Sequence, residues 1–168
     1  VSFAEPICKD FSEIVLRAAK QVGVTTHTGG TYVCIEGPQF STKAESNLYR
    51  QWGVDVIGMT NMPEAKLARE AGMCYVTLAL ATDYDCWHET EESVTVGAIL
   101  KIVHDNVVQA KKVIQQALKH TTVPRMCGCG TALQQAIVTS PTAITAAAKR
   151  RYRLFLPPGP KKKSKRIA

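Results

Sequence analysis

The fold class follows from residues 54–81, which read VDVIGM, TNMPEAKLAREAG and MCYVTLALA in turn. The first six residues are a short, mostly apolar run and predict a strand. Thr60 or Asn61 can cap a helix that has Pro63 in its first turn and ends at Gly72. The last nine residues are almost continuously apolar, which is typical of a strand buried on both faces of a parallel sheet. This order predicts an α/β fold with a mixed, largely parallel central sheet flanked by helices.

Further helices and strands are predicted on both sides of this unit. Apolar residues at three- and four-residue spacing indicate amphipathic helices over residues 11–22 and 95–119. Glu45 stands three residues after Thr42, the spacing of a capping box, and predicts a helix from there to Trp52. The inner face predicted for the long helix comprises Val96, Ile99, Leu100, Val103, Val107, Ala110, Ile114 and Ala117. The other predicted elements are one bent or two short strands over 25–35, an acidic loop over 83–93, a weak helix over 131–139 and a helix-compatible segment over 143–149.

The positive charge of the chain is confined to its end. The formal net charge is +7 over 168 residues, yet nine basic residues and no acidic one occur from Lys149 onward. The preceding residues hold 12 basic and 14 acidic side chains, a net charge of −2. Residues 156–168 combine prolines with a lysine cluster and predict a disordered end. Such an end is more often a solvated extension than a nucleic-acid contact, so nucleic acid is not expected as a partner.

Cysteine usage and apolar run lengths bear on compartment and metal binding. A chain with six cysteines and 45% hydrophobic residues needs no disulfides, so a reducing cytoplasm is expected. Cys127 and Cys129 are the only closely spaced pair, whereas a zinc site needs four ligands. Neither a second cysteine pair nor a close histidine pair follows, so no metal site is predicted. The longest apolar run is far shorter than the roughly 20 residues that span a bilayer, and no membrane association is expected.

Polar or aromatic side chains follow three predicted strands, in residues 36–41, 58–60 and 82–85. Ligands of open α/β sheets bind beyond the carboxyl ends of the strands. The helix start after Thr60 favours an anion, and Asp83 and Asp85 point the same way if the chain stays extended. Taken singly, these features identify no reaction, because an Asp at a strand end most often caps a turn. Two such carboxylates also suit magnesium.

Together the three segments are much more specific. The sequences EGPQFS at 36–41, GMTNMPE at 58–64 and ATDYDCW at 81–87 resemble the trimeric purine nucleoside phosphorylase family. The resemblance covers residues 1–141 and implies a nucleoside phosphorylase-like fold. It implies that residues 1–141 are the C-terminal part of a single phosphorylase domain, with the N-terminal portion missing. Residues 142–168 then form a divergent, basic, disordered tail.

Members of this family split a nucleoside with phosphate and release the base and a ribose 1-phosphate. The resemblance therefore implies a homotrimer when full length, a nucleoside and phosphate as substrates, and no cofactor. The implied site comprises Phe40 on the purine, Ser41 at its edge, Met59 along the ribose, Thr60 on phosphate, Asp83 and Asp85 at N7 and the 6-amino group of adenine, and Ile99 near the 5′ group. Asp83 is the implied catalytic acid, because a proton at N7 stabilises the leaving base.

Within the family the pattern is closest to members that split S-methyl-5′-thioadenosine into adenine and 5-methylthioribose 1-phosphate. Carboxylates accept hydrogen bonds from a 6-amino group, whereas a 6-oxo group presents a lone pair to them. Members that use 6-oxopurines typically have Asn in place of Asp83 and Glu in place of Ser41. Gly58 stands where some thioadenosine-cleaving members have Asn.

Two alternatives remain open. One is a phosphorylase for 6-oxopurines such as inosine or methylthioinosine, and the other is a non-catalytic chain that binds nucleic acid through its basic tail. The glycine-rich phosphate turn, the Arg-His pair and the further phosphate-binding strand end of the family's N-terminal half are not found in this sequence. The 168-residue chain by itself is therefore expected to be weakly active or inactive.

Overall fold

A computed structural model describes residues 1–88, 96–121, 124–134 and 136–156. Its elements are α1 (Lys9–Val22), β1 (Tyr32–Cys34), α2 (Lys43–Gln51), β2 (Val56–Gly58), α3 (Met62–Glu70), α4 (Val96–Leu118), a short 3-10 helix (Gly128–Thr131) and α5 (Ala146–Arg151). Strands and helices alternate through the first half of the chain, which confirms the predicted α/β class. No helix of the described residues has the length and apolar character needed to cross a membrane.

β1 and β2 pair in parallel, with Cys34 opposite Gly58. α2 connects them, as a parallel pair requires a crossover. The predicted capping box starts this helix: the N–H of Glu45 donates to the Thr42 side chain, and the Glu45 carboxylate accepts the N–H of Thr42. The two strands therefore end at the same edge of the sheet, where the first two predicted segments begin.

The hydrophobic core lies between α1 and α4. Ala18 and Ala19 of α1 are fully buried, and Val113 and Ala117 of α4 are nearly so. Small side chains at this contact allow the two helix backbones to approach closely. α1 ends where its sequence predicts, at Val22, and the following Gly23 adopts a left-handed backbone with φ +79°.

The face of α4 that meets this core is narrower than predicted. Ala117 is buried as expected, but Ile114 is 54% exposed and Leu100 is 63% exposed. Val103 and Val107, also on the predicted inner face, are 38% and 39% exposed. The prediction of an inward orientation is therefore wrong for these four residues. α4 packs on α1 along a stripe that includes Val113, and other apolar residues of α4 lie open in the described part of the chain.

Residues 73–81 are extended but form no ladder with a strand in the described ranges. The N–H of Cys8 donates to the carbonyl of Tyr75 at 2.8 Å, and the Asn106 side chain donates to the carbonyl of Ala81 at 2.8 Å. These contacts hold the segment between α1 and α4. A strand needs a neighbour that alternately donates and accepts, so the strand predicted here is present only as an extended segment.

The remaining predictions differ in extent. β1 occupies only the last part of the predicted 25–35 strand region, and the acidic loop is described only to residue 88. Turns and the short 3-10 helix replace the weak helix expected over 131–139. α5 forms close to the helix-compatible segment 143–149, and residues 157–168 lie outside the described residues.

Candidate active site

The ends of β1 and β2 bring the first two predicted segments together. The N–H of Ile35 donates to the carbonyl of Gly58 at 2.9 Å, which extends the pairing beyond β1. Met59 then lies against Gly37, with its Sδ only 2.8 Å from where a Cβ would stand. Gly37 also has φ +73°, so both its backbone and its surroundings favour glycine. The glycine of the first segment thus allows the second segment to pack against it.

Thr60, the predicted phosphate ligand, is exposed at the end of β2 and is fixed by residues of β1. Its side chain is hydrogen-bonded to the Tyr32 hydroxyl, and its carbonyl accepts the Sγ–H of Cys34 at 2.8 Å. The Tyr32 hydroxyl occupies the space that a Cβ on Gly58 would need. This contact is a local reason for glycine at a position where some family members have Asn. Burial raises the pKa of Tyr32, so its hydroxyl stays protonated at neutral pH.

Asn61 follows Thr60 with a positive φ of +83° and a ψ of −51°. Such a conformation costs on the order of 1–3 kcal/mol in a residue other than glycine. The Oδ1 atom of Asn61 accepts hydrogen bonds from the hydroxyls of Tyr75, at 2.9 Å, and Thr77. Asn61 occupies the N-cap position of α3 without a side-chain cap bond, since its side chain is engaged with residues 73–81 instead. Asn61 therefore turns the chain at Thr60 and connects this turn to residues 73–81.

Asp85 is held in a fixed orientation by α2. The hydroxyl of Ser46 donates to Oδ2 at 2.5 Å, and the N–H of Cys86 donates to Oδ1 at 2.9 Å. Ser46 is only 1% exposed, so its hydroxyl has little access to water. Ser46 is not among the residues predicted from the sequence. The only feature of the sequence that points to Ser46 is its position one helical turn after Thr42, on the helix that follows the first segment.

Asp83 differs from Asp85 in its surroundings. Its side chain is exposed, and its Oδ1 accepts a hydrogen bond from the neighbouring Thr82 hydroxyl at 2.6 Å. The two carboxylates stand two residues apart just after residues 73–81. One is oriented by a buried hydroxyl, and the other is accessible to a ligand.

Ser41 links the first segment to the third. Its carbonyl accepts the Sγ–H of Cys86 at 3.4 Å. Its own hydroxyl is buried and has no hydrogen-bond partner among the residues that the structure describes. A buried hydroxyl without a protein partner is an available donor or acceptor for a ligand. The adjacent Phe40 is 85% exposed, so its ring is not part of the described core.

A group of aromatic rings anchors the third segment on α2. The guanidinium of Arg50 lies 3.7 Å from the ring centroid of Trp87, a cation–π contact. The ring of Tyr84 stacks on His88 at 4.5 Å and meets Trp87 edge-on at 5.9 Å. These contacts hold the chain on both sides of Asp85. None of these four residues is predicted from the sequence as a site residue.

The structure therefore joins the three predicted segments into one region. The predicted residues on these segments are Phe40, Ser41, Met59, Thr60, Asp83 and Asp85. Ile99 is half-buried near the start of α4, and no contact given by the described residues links it to them. Its predicted role stays a prediction.

Comparisons with known proteins add independent information. The family model of the phosphorylase superfamily matches residues 1–122. A Geobacter sulfurreducens protein named S-methyl-5′-thioadenosine phosphorylase is 54% identical over 156 residues, which is 93% of this chain and 54% of that protein. A protein of the same name from Danio rerio is 48% identical over 127 residues, covering 76% of this chain and 44% of the relative. The chain thus spans about half the length of the curated relatives it matches.

Solved structures agree with this result. A methylthioadenosine phosphorylase from an Antarctic soil metagenomic library superposes with a TM-score of 0.85 at 46% identity, over 94% of this chain and 56% of that one. The Schistosoma mansoni methylthioadenosine phosphorylase in complex with adenine superposes with a TM-score of 0.70 at 28% identity, over 80% and 54%. The family model covers well over half of the residues, and the superpositions reproduce the fold, so the chain belongs to the phosphorylase superfamily.

Proposed function

We propose that the protein containing this chain splits S-methyl-5′-thioadenosine with inorganic phosphate into adenine and 5-methylthioribose 1-phosphate. The observation that most supports this proposal is the pair of carboxylates after residues 73–81. Asp85 is fixed by Ser46, while Asp83 is exposed beside it. Matching proteins are named for the same activity, and one solved relative contains adenine.

The carboxylates are proposed to bind the adenine base. A fixed Asp85 carboxylate accepts hydrogen bonds from the 6-amino group, which has protons to donate. The Asp83 side chain shares a proton with N7 of the base. As the bond between C1′ and N9 breaks, its electron pair moves into the purine, and the proton at N7 neutralises the developing negative charge. Discrimination against 6-oxopurines follows, because an oxo group offers these carboxylates no proton.

Phosphate is proposed to bind at Thr60, where β2 leads into α3. The first N–H groups of a helix point toward an anion at this position, and the Thr60 hydroxyl adds a donor. A phosphate oxygen attacks C1′ as N9 leaves, so one C–O bond forms and one C–N bond breaks. The negative phosphate also stabilises the positive charge that develops on the sugar.

The apolar residues are proposed to form the walls for the purine and the sugar. Phe40 packs on the purine, Met59 lies along the ribose, and Ile99 lies near the 5′ group. The buried hydroxyl of Ser41 binds the purine edge. This arrangement uses the one buried hydroxyl that lacks a partner in the described ranges.

The large exposure of Phe40 supports a site that needs further surface to enclose its ligand. We propose that this surface comes from the remainder of the full-length protein and from neighbouring subunits of a homotrimer. No cofactor is needed for the proposed reaction, since phosphate is a co-substrate. A cytoplasmic location is also proposed, since six thiols without disulfides suit a reducing compartment.

The test measures adenine release from S-methyl-5′-thioadenosine by the native protein, with phosphate and in phosphate-free buffer. Inosine serves as the matched control substrate. We expect release that requires phosphate and yields a sugar phosphate, with little reaction of inosine. Equal release without phosphate would overturn phosphorolysis, and faster reaction of inosine would overturn the assignment of the base. The 168-residue chain by itself is expected to show little or no turnover.

A further inference from the structure

Four cysteines outside the proposed active site converge on one point. They are Cys8, Cys74, Cys127 and Cys129, and their Sγ atoms all lie within 4.8 Å of one another. Cys8 and Cys129 are buried, with exposures of 4% and 7%, and the other two are half-buried. No zinc site is predicted from the sequence, because no second ligand pair lies near Cys127 and Cys129 in sequence. Folding supplies that pair from two distant positions.

The four sulfurs are presented by three features of the fold. Cys8 is the N-cap residue of α1, and its N–H donates to the carbonyl of Tyr75 beside Cys74. Cys127 is the N-cap residue of the 3-10 helix, and Cys129 lies within that helix. The Sγ atoms of Cys74 and Cys127 are 3.3 Å apart. Backbone hydrogen bonds and helix ends therefore fix the four sulfur atoms at three places in the fold.

We propose that Cys8, Cys74, Cys127 and Cys129 form a tetrathiolate site that binds one zinc ion. Zinc in structural sites is tetrahedral, with zinc–sulfur bonds of about 2.3 Å. Sulfurs at the corners of such a tetrahedron are about 3.8 Å apart, by the geometry of those bonds. The observed separations reach this arrangement through small side-chain movements. A set of four sulfurs with tetrahedral geometry is typical of zinc or iron rather than of hard cations such as magnesium.

The surroundings of the four cysteines suit a negatively charged metal centre. The Arg125 guanidinium lies 3.6 Å from Cys74 Sγ, and it is fixed by donating to the carbonyl of Gly72 at 2.8 Å. The backbone N–H of Cys129 donates to the sulfur of Cys127. A zinc ion with four thiolates has a net charge of −2, so a nearby cation and an N–H···S bond both stabilise it. Such outer groups orient ligands and tune metal affinity.

A close approach of two backbones completes the site. Gly72 lies against Gly130, so a Cβ on Gly72 would stand 3.3 Å from the carbonyl oxygen of Gly130. The start of the extended segment can therefore contact the 3-10 helix directly. This contact brings Cys74 within reach of Cys127 and Cys129.

The alternative occupant of this space is a pair of disulfides. A disulfide needs two sulfurs at about 2.05 Å and places no requirement on a third. Here all four sulfurs are mutually close and all are free thiols in the structure. Mutual proximity of four ligands around one centre is what a metal requires. The geometry therefore favours the metal over two independent bonds.

Metal binding at this site involves no redox step. Four S–H bonds break, four zinc–sulfur bonds form, and four protons pass to the solvent. No electron is transferred, so a reducing environment supports the site by keeping the thiols available.

The test uses the chain purified under reducing, oxygen-free conditions and titrated first with Co²⁺ and then with Zn²⁺. We expect one cobalt per chain, with the visible absorption of a tetrahedral cobalt thiolate, and complete displacement of cobalt by one zinc. Cys129→Ser removes a ligand and should abolish that absorption. Cys34→Ser is the matched control, because Cys34 is a half-buried thiol outside the cluster and serine can keep its bond to the Thr60 carbonyl. Arg125→Gln keeps all four sulfurs and should weaken zinc binding by about 10–100-fold.

Failure of the reduced, unmodified chain to give the tetrahedral spectrum would overturn the proposal without reference to any variant. The proposal would also be overturned if Cys129→Ser still bound one metal per chain with an unchanged spectrum. If the chain isolated without reductant is lighter by the hydrogens of two disulfides, and the reduced chain binds no metal, the cysteines pair instead. Catalytic activity does not enter this test, so its outcome is independent of the proposed function.

Discussion

The proposed active site and the four-cysteine cluster lie at opposite ends of residues 73–81. The active site is built from three separate segments, and each segment is an unbroken run of several characteristic residues. The cluster is built from single residues separated by as many as 121 positions, with only Cys127 and Cys129 close in sequence. Both regions depend on the same extended segment, whose first part contains Cys74 and which leads directly to Asp83. The segment thus connects a region suited to chemistry with a region suited to stabilisation.

The two regions differ in which of their polar groups are exposed and which are buried. At the active-site end, Asp83 and Thr60 are exposed and accessible to a ligand, while buried partners such as Ser46 orient their neighbours. At the cysteine end two of the four cysteines are buried and two are half-buried, and Arg125 is the exposed partner. Substitutions at the first end should alter catalysis, and those at the second should alter metal binding and stability.

The largest expected effect is that of Asp83→Asn. Asparagine keeps the size of the side chain but cannot share a proton with N7, so the loss in kcat/KM for S-methyl-5′-thioadenosine should be about 10²–10⁴-fold. The ratio of inosine to S-methyl-5′-thioadenosine turnover should rise, since members of the family that use 6-oxopurines typically have Asn at this position. Steady-state kinetics on both substrates measure this effect. Cobalt binding at the cysteines should not change, and a loss of both functions would contradict the separation of the two regions.

Ser46→Ala should have a smaller effect on the same chemistry. The substitution removes the hydrogen bond to Asp85 and leaves a carboxylate that one N–H still holds. A hydrogen bond to a charged group contributes about 1.5–3 kcal/mol, so kcat/KM should fall about 10–100-fold. Ser140→Ala removes an exposed hydroxyl and is the control. Kinetics for Ser46→Ala that match those of the control would show that Asp85 needs no orientation by α2.

The smallest expected effect is that of substituting Asn61, whose side chain connects the turn beside Thr60 to residues 73–81. Asn61→Gly loses the hydrogen bonds from Tyr75 and Thr77 but tolerates φ +83°, and its stability should fall by about 1–2 kcal/mol. Asn61→Ala loses the same bonds and also has to adopt a positive φ, so it should be less stable than the glycine variant by about 1 kcal/mol. Urea unfolding of both variants measures the difference. Equal stabilities of the two variants would mean that the positive φ at residue 61 carries no cost for a residue other than glycine.

The sequence was a good guide wherever structure depends on neighbours in the chain. The Thr42 and Glu45 capping box, the end of the first helix at Val22 and the alternation of strands with helices are all predicted from local spacing. The three segments of the site were also recognisable, because each is a run of several characteristic residues. The first two segments meet at one edge because parallel strands end on the same side. The third segment is joined to them by the Cys86 contact with Ser41 and the Asp85 contact with Ser46.

The parts that were not predicted depend on contacts between distant residues. Ser46 looks like any polar helix residue until the chain returns at Asp85. The cysteine cluster requires α1, the extended segment and the 3-10 helix to meet, which no spacing rule contains. The orientation of Ile114 failed for a related reason: periodicity finds an apolar face but not which part of it another helix covers.

Residues 73–81 have a consequence for handling the protein. Apart from a few tethering bonds, their backbone donors and acceptors are unpaired within the described ranges, and the segment is almost entirely apolar. An open edge of this kind is a template for strand addition by another chain. The chain by itself should therefore self-associate through this segment as concentration rises, and solubility in expression should improve when further strands of the same sheet are supplied beside it.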